Sequence, residues 1–351
     1  MEFRKEREHV ILEREKPIIH TYNHYAHILS IIQKKPESYQ WIFSNFILLF
    51  ACKNLKKNFW GDFYFPYPYE IKPSDICNWI ETSRVRRSYF EGDKDKLIDF
   101  LYSELSGESY LYLHLNHESF ISLGSKKEKK CHDALIYGID INAEKLYLAD
   151  VFYHGRYENA IISFSEFWNA FNSCNLREDW KFLNDMIYSF KLKESCSYEF
   201  NLKNIENSIK TYFLSEPPEY WRLYNQGNRE EMIFGIRYYL ALIDLTNEMK
   251  YEKFKIYIQD YYLLMEHKKI MKLRFMYLCD NKYYDYAKLK EIIQAYAKLE
   301  KQAIRIVNMI LKFEITDRKN ILDNVILYLY EMYHFEYESL ESYFNIANIE
   351  Y

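Results

Sequence analysis

The segment CHDALIYGID at residues 131–140, followed by LAD at residues 148–150, decides how this chain is interpreted. Its side chains alternate as in a β-strand, and residues 141–144 have turn-forming chemistry. The sequence therefore predicts an antiparallel hairpin in which His132 lies near the end of the strand opposite Asp150. A carboxylate within hydrogen-bond reach of an imidazole fixes its tautomer and raises its basicity, so the two residues are candidates for the base and orienter of a nucleophilic triad. Spacing alone leaves a second interpretation open, in which the histidine bonds to backbone and the aspartate caps a turn.

The patterns around this hairpin predict an α+β head of helices and an antiparallel sheet. Strands are predicted at Tyr110–Leu115, His132–Ile139, Lys145–Ala149, Ala160–Ser163 and Trp180–Lys191. Helices are predicted over Thr21–Ile32 and Asp93–Leu105, from Pro73-Ser74-Asp75 into Ile76–Thr82, and from Ser165 onward.

From about residue 199 the apolar pattern is helical throughout. One apolar stripe runs from Leu289 to Ile310, and further helices are predicted over Arg229–Leu245, Tyr251–His267 and Ile321–Tyr333. A chain of 351 residues is expected to form two domains. We therefore assign residues 1–195 to an α+β domain and residues 196–351 to a helical domain.

Charge and cysteine usage argue against several classes of protein. The net charge of −4 gives no basic footprint for nucleic acid, and the longest apolar run, Phe46–Cys52, is too short to span a membrane. Residues 1–16 lack the apolar core of a signal peptide. The six cysteines are scattered without a CxxC pair, which predicts free thiols and a cytoplasmic location.

The sequence predicts neither a metal site nor a cofactor. His24 and His27 share a face of the first predicted helix, and His114 and His117 straddle a predicted strand end, but no carboxylate or cysteine lies at a convincing companion spacing. The chain has no glycine-rich phosphate loop or dinucleotide fingerprint. The run Lys126–Lys130 is a candidate contact for the phosphate of a carrier protein's prosthetic arm, and a solvated loop is the alternative.

The strand pair carries a resemblance to known proteins. The pattern His-x-x-x-Ile-Tyr-Gly-x-Asp in residues 132–140, followed by Leu-Ala-Asp, is similar to the His and Asp strands of papain-like cysteine peptidases of the bacteriocin-leader-peptidase type. It looks closer still to the N-terminal domain of the butirosin biosynthesis H family, whose relatives in natural-product clusters include closthioamide-type amide synthases. The resemblance covers residues 17–195 and implies a papain-like head. Residues 265–271 in the helical half also look like a motif of such proteins.

The cysteine that opens the first helix of that family has no counterpart here. The family pattern is like Cys-x-x-Ala-x-Leu-x-Ser-Ile-Leu, and the matching run at residues 23–32 is NHYAHILSII. Its shared Ala, Ser and Ile put Asn23 at the cysteine position, while a shift of one residue puts His24 there. Neither an amide nor an imidazole readily forms the thioester that a thiolate forms. The resemblance therefore implies a base, His132, and an orienter, Asp150, without the nucleophile.

Three explanations of the missing cysteine are consistent with this resemblance. The first is acyl transfer or amide formation from a carrier-bound thioester of a nonribosomal or polyketide-type pathway, with His132 as base and Asn23 as a candidate oxyanion donor. The second is an inactive homologue, a pseudoenzyme, that acts as a binding or scaffold partner. In the third, another thiol, Cys131 or Cys52, enters the site. An acyl or peptidyl carrier protein is the expected partner, and a homo-oligomer stays open because the helical half is a candidate lid or dimer interface.

Overall fold

The chain divides into two compact units. The computed structural model describes residues 9–52, 59–64, 73–124, 131–152, 156–174, 185–218, 232–251 and 258–351. The first unit comprises Met1–Ser38 and Tyr69–Tyr198, and the second comprises Tyr39–Pro68 and Glu199–Tyr351. The predicted α+β class is confirmed, with antiparallel sheets and a helical C-terminal half.

The regular elements are numbered in chain order. The strands are β1 His9–Ile11, β2 Leu49–Cys52, β3 Trp60–Phe63, β4 Ile80–Arg86, β5 Ser109–Asn116, β6 Cys131–Asp140, β7 Lys145–Val151, β8 Tyr157–Ser163, β9 Met186–Leu192 and β10 Met232–Phe234. The helices are α1 Asn23–Ile32, α2 Tyr39–Asn45, α3 Pro73–Ile76, α4 Lys94–Ser106, α5 Phe164–Asn172, α6 Leu202–Leu214, α7 Tyr238–Tyr251, α8 Gln259–Asp280, α9 Tyr286–Thr316 and α10 Asn320–Ala347.

The first unit is built on an antiparallel sheet of seven described strands. Its main order is β4-β9-β5-β6-β7-β8, and β1 pairs with β6. β5 covers the first half of β6, from Cys131 to Ile136, and β1 covers Gly138 to Asp140. Because β7 pairs with the opposite edge of β6, β5 and β1 share one edge of that strand.

The predicted hairpin is formed by β6 and β7. Their register runs from Leu135↔Ala149 to Asp140↔Lys145, with a bulge between Ile136 and Gly138. The carboxylate of Asp140 accepts the backbone N–H of Ala143 at 2.8 Å, which closes the turn. Since the strands are antiparallel, the start of β6 and the end of β7 lie at the same end of the sheet.

Two predicted helices complete the core of the first unit. α4 begins at its N-cap Asp93, whose carboxylate accepts the backbone N–H of Lys96. α5 begins with a reciprocal capping box between Ser163 and Glu166. Leu97 and Leu101 of α4 and Phe167 of α5 share one apolar core with the strand residues Leu113, Ile136 and Leu148.

Three sequence predictions are wrong in detail because strand pairing outweighs local pattern. The helix expected to run from Ile76 to Thr82 is only the four-residue α3, and β4 begins at Ile80 because it pairs along its length with β9. The helix expected over Arg229–Leu245 begins only at Tyr238, because Met232–Phe234 form strand β10, which pairs with β2. That pairing joins residues 39–68 to the second unit, whereas the sequence-based boundary left them in the first domain.

The second unit packs long helices around a buried apolar stripe. The predicted stripe is confirmed in α9, where Leu289, Tyr296, Ala303 and Ile310 are buried. α9 lies between α8 and α10, and β10, β2 and β3 form a small sheet in the same unit. None of the described helices is long and apolar enough to cross a membrane. The run Lys126–Lys130 and the predicted strand start at Trp180 lie outside the described residues.

Candidate active site

His132 and Asp150 are in contact at one end of the sheet. The Nδ1 atom of His132 lies 3.0 Å from Oδ1 of Asp150. His132 is the second residue of β6 and Asp150 the penultimate residue of β7, so the hairpin itself brings them together. The Asp150 side chain is fully buried and that of His132 is 35% exposed. With Nδ1–H donated to the carboxylate, the other ring nitrogen, Nε2, carries the lone pair that can take a proton.

Asn23, the first residue of α1, lies against this pair. Its Nδ2 atom donates to the backbone carbonyl of Asp133 at 3.0 Å and to Oδ1 of Asp150, and lies 3.1 Å from Nδ1 of His132. His24 instead packs its ring against Tyr22 and Tyr25. The structure therefore brings Asn23, not His24, to the base. Because the amide N–H groups already point at Asp150 and the Asp133 carbonyl, Asn23 in this orientation does not present them to an oxyanion.

His117 is the member of the site that sequence reasoning did not place there. It begins the short 3₁₀ turn His117–Ser119 after β5, and its Nε2 atom lies 2.6 Å from Oδ2 of Asp150, with both side chains fully buried. Each carboxylate oxygen of Asp150 thus has one imidazole beside it. The signal for this contact is the β5–β6 register, in which Asn116 pairs with Cys131, so the residue after Asn116 falls beside the start of β6.

Burial and the neighbouring imidazoles act on the pKa of Asp150 in opposite directions. Burial raises this pKa, but the interactions of the carboxylate with the imidazoles of His132 and His117 outweigh it and hold the pKa well below its usual range. The same balance lowers the pKa of Asp133, where burial is outweighed by electrostatic attraction to the protonated forms of His132 and His27. Both carboxylates are therefore ionised at neutral pH.

His27 extends the polar cluster along α1. Its Nδ1 atom lies 2.9 Å from the hydroxyl of Tyr157, and its Nε2 atom lies 3.9 Å from a carboxylate oxygen of Asp133. The ring is fully buried, and burial lowers the pKa of His27 to about 4. His27 is therefore neutral at pH 7.

The cysteine predictions need correction. Cys131 forms a disulfide with Cys174, because the start of β6 lies beside the end of α5 and the two Cα atoms are 5.3 Å apart. Cys131 is therefore not a free thiol that enters the site. Cys52, the other candidate, is a free cysteine in β2 of the second unit.

Comparisons with known proteins do not identify the chain. No protein-family model matches it, and no curated protein matches it. The site is thus interpreted from its own chemistry. His117, His132 and Asp150 together also present ligand atoms that all lie within 4.8 Å of one another.

Proposed function

We propose that the protein transfers an acyl group from a carrier-bound thioester to an amine, with His132 as general base and Asp150 as its orienter. The observation that supports this most is the 3.0 Å contact between Nδ1 of His132 and Asp150, on an imidazole that is one-third exposed. A buried carboxylate beside a partly exposed imidazole favours a fixed tautomer with one nitrogen facing the substrate. The resemblance to papain-like cysteine peptidases of the butirosin biosynthesis H type supports acyl chemistry as the reaction class.

The reaction needs no covalent enzyme intermediate. The amine nitrogen attacks the thioester carbonyl, and Nε2 of His132 takes a proton from that nitrogen. The carbon–sulfur bond then breaks, and the imidazolium returns its proton to the leaving thiolate of the carrier arm. One amide and one thiol form from one thioester and one amine, so atoms and charge balance.

Asn23 supports the orienter in this mechanism. An amide does not act as the nucleophile of the related cysteine enzymes. Its contacts with Asp150 and the Asp133 carbonyl instead hold the carboxylate against His132. We therefore treat Asn23 as a positioning residue.

A second candidate function is a binding partner without catalysis. It is favoured by the amide of Asn23, which occupies the nucleophile position and is bonded within the site. In this case the first unit holds a carrier protein or its acyl chain and performs no chemistry.

Thiol release from model thioesters distinguishes the two functions. N-acetylcysteamine thioesters of acetate, hexanoate, benzoate and glycine are offered to the full chain with a primary amine. His132→Gln is expected to lower the rate by about 10²- to 10⁴-fold. The matched control His334→Gln changes an exposed histidine of α10 and is expected to leave the rate unchanged. If no thioester reacts above the uncatalysed rate, or if folded His132→Gln protein matches the wild type, acyl transfer is rejected.

A further inference from the structure

We infer that His117, His132 and Asp150 form a binding site for a divalent transition-metal ion of the Zn²⁺ class. The inference does not rest on the proposed acyl transfer, because it concerns only the donor atoms and their placement. The site is formed by three separate segments: the turn after β5, the start of β6 and the end of β7.

The donor set suits such an ion. Two imidazole nitrogens and one carboxylate are the protein ligands of many catalytic zinc sites and of non-haem iron sites. Imidazole favours zinc, copper, iron and nickel over magnesium and calcium, which prefer oxygen ligands. The chemistry of His117, His132 and Asp150 therefore selects a first-row transition metal.

The two imidazoles are spaced as they would be around one ion. Imidazoles whose nitrogens each lie about 2.1 Å from a four-coordinate metal have ring centroids about 5 Å apart. The centroids of His117 and His132 are 5.3 Å apart, with the ring planes at 59°. The ring spacing expected for an occupied site is thus already present.

The carboxylate is placed between these two rings. His117 Nε2 lies 2.6 Å from Oδ2 of Asp150, and His132 Nδ1 lies 3.0 Å from Oδ1. Neighbouring donor atoms around a tetrahedral ion with bonds of about 2.1 Å are about 3.4 Å apart, and the ligand atoms of the three residues all lie within 4.8 Å of one another. Short shifts of these side chains therefore suffice to admit an ion.

Asn23 provides a second observation that points to a cation. The side chain is only 5% exposed, and its Oδ1 atom is buried without a hydrogen-bond partner among the described residues. Its Nδ2 atom lies close to three polar groups at once: the Asp133 carbonyl, Asp150 and His132 Nδ1. An amide has only two N–H bonds, so one of these contacts is not a hydrogen bond from Asn23. Rotation of the amide by half a turn would direct Oδ1 at the same point and offer a fourth ligand to a metal.

The local charge also favours a cation. Asp150 and Asp133 both place carboxylate groups beside Nδ1 of His132. The carboxylate of Asp133 lies 3.5 Å from Nδ1 of His132 and adds a second negative charge beside the donor atoms. The exposed third of the His132 side chain gives an ion access from solvent.

Metal binding and general-base catalysis use His132 in incompatible ways. A metal on Nδ1 replaces the proton that Nδ1 donates to Asp150, so the remaining proton of the neutral ring lies on Nε2. The imidazole then has no lone pair to accept a proton from the substrate. A bound ion is therefore expected to inhibit acyl transfer by the same molecule.

Calorimetric titration of the chelator-treated, full-length protein with ZnCl₂ tests the site, and Co²⁺ provides a spectroscopic probe. One equivalent of Zn²⁺ is expected to bind, and Co²⁺ is expected to give the visible absorption of a four-coordinate ion. His117→Gln and His132→Ala are each expected to weaken Zn²⁺ binding by on the order of 100-fold or more, because each removes a ligand. The control His334→Gln is expected to bind as the wild type does.

The outcomes separate this inference from the proposed function. His117→Gln removes a metal ligand, so its rate of thiol release, whatever its value without metal, is expected to change less on addition of Zn²⁺ than the wild-type rate does. If the wild type binds no Zn²⁺, or if binding is unchanged in folded His132→Ala protein, the metal site is rejected and acyl transfer is unaffected. If Zn²⁺ binding depends on both histidines but no thioester reacts, the metal site stands and the proposed function falls. His132→Ala alters a partly exposed side chain, so it remains informative even if His117→Gln does not fold.

Discussion

The amide nitrogen of Asn23 lies 3.1 Å from Nδ1 of His132. Asn23 is the first residue of α1, and His132 is the second residue of β6. The fold therefore brings together two side chains that are far apart in sequence. A side chain at position 23 therefore lies beside the imidazole of His132, on the side of the nitrogen that contacts Asp150. The chemistry of the site thus depends on which side chain opens α1.

Asn23→Cys is expected to create a reactive thiol. An imidazole beside a thiol lowers the thiol pKa and raises the thiolate fraction at pH 7. The introduced thiol is therefore expected to react with iodoacetamide faster than the free cysteines Cys52, Cys77, Cys196 and Cys279. It is also expected to take up the acyl group of a model thioester. Mass spectrometry of the peptide that contains residue 23 measures both products.

Two variants control this experiment. Asn23→Ser has a hydroxyl of similar size and is expected to stay unmodified by iodoacetamide. Asn23→Cys combined with His132→Ala is expected to lose the fast reaction, since the base is gone. If the thiol reacts equally fast with and without His132, the pairing of these two positions has no chemical consequence.

Asp150→Asn tests the orienter while keeping the shape of the side chain. An amide cannot hold both imidazoles as a carboxylate does, so His132 loses its fixed tautomer. Thiol release from model thioesters is expected to fall by about 10²- to 10⁴-fold. Asp317→Asn, at an exposed position with φ 51° that suits asparagine, is the matched control. Equal rates for wild type and folded Asp150→Asn protein would mean that the carboxylate does not assist catalysis.

Local pattern was sufficient to predict the hairpin and several helices. The alternation in β6, the turn chemistry at Asp140 and the caps of α4 and α5 are all determined by residues close together in sequence. Because the hairpin alone places His132 beside Asp150, the sequence is sufficient to predict that contact.

The remaining features depend on contacts between distant segments. His117 joins Asp150 only because β5 pairs with the start of β6, and the His117 ring has no periodic signature in its own segment. Strand β10 has three residues and exists because β2 offers it a partner. The disulfide of Cys131 likewise depends on where α5 ends. Such pairings arise from tertiary packing, which local propensity does not determine.

A buried ion pair in the second unit predicts non-additive stability effects. Lys268 of α8 and Glu336 of α10 form a fully buried salt bridge, and Glu336 also accepts hydrogen bonds from the hydroxyls of Tyr239 and Tyr296. Removing one partner leaves the other charge buried without compensation. Lys268→Met or Glu336→Gln alone is therefore expected to lower the free energy of unfolding by about 3–5 kcal/mol.

The double variant is expected to cost less than the sum of the two single changes, because it leaves no unpaired charge. Urea unfolding of the four proteins measures this coupling. Lys250→Met, which breaks the exposed pair with Asp323, is the control and is expected to cost less than about 1 kcal/mol. Additive effects at Lys268 and Glu336 would contradict a direct interaction between them.

Asp260 predicts a pH dependence of stability in the same unit. Burial raises the pKa of this α8 residue to about 8, although its carboxylate accepts the backbone N–H of Gly61 at 2.9 Å. In the unfolded chain the carboxyl group loses its proton near pH 4. Between these two pH values the folded state binds more protons than the unfolded state. The free energy of unfolding is therefore expected to fall as pH rises from about 4 to about 8, by up to about 1.4 kcal/mol per pH unit from this group.

Asp260→Asn keeps an oxygen acceptor for the Gly61 N–H but removes the titration. Its stability relative to wild type is therefore expected to increase with pH across that window and to become constant above about pH 8. Urea unfolding of both proteins at several pH values measures the difference, and Asp280→Asn at the exposed end of α8 serves as the control. Parallel stability curves for wild type and Asp260→Asn would show that the folded state does not retain this proton. Divergence only below pH 4 would mean that the pKa of Asp260 in the folded state lies below its value in the unfolded chain, contrary to the expected direction.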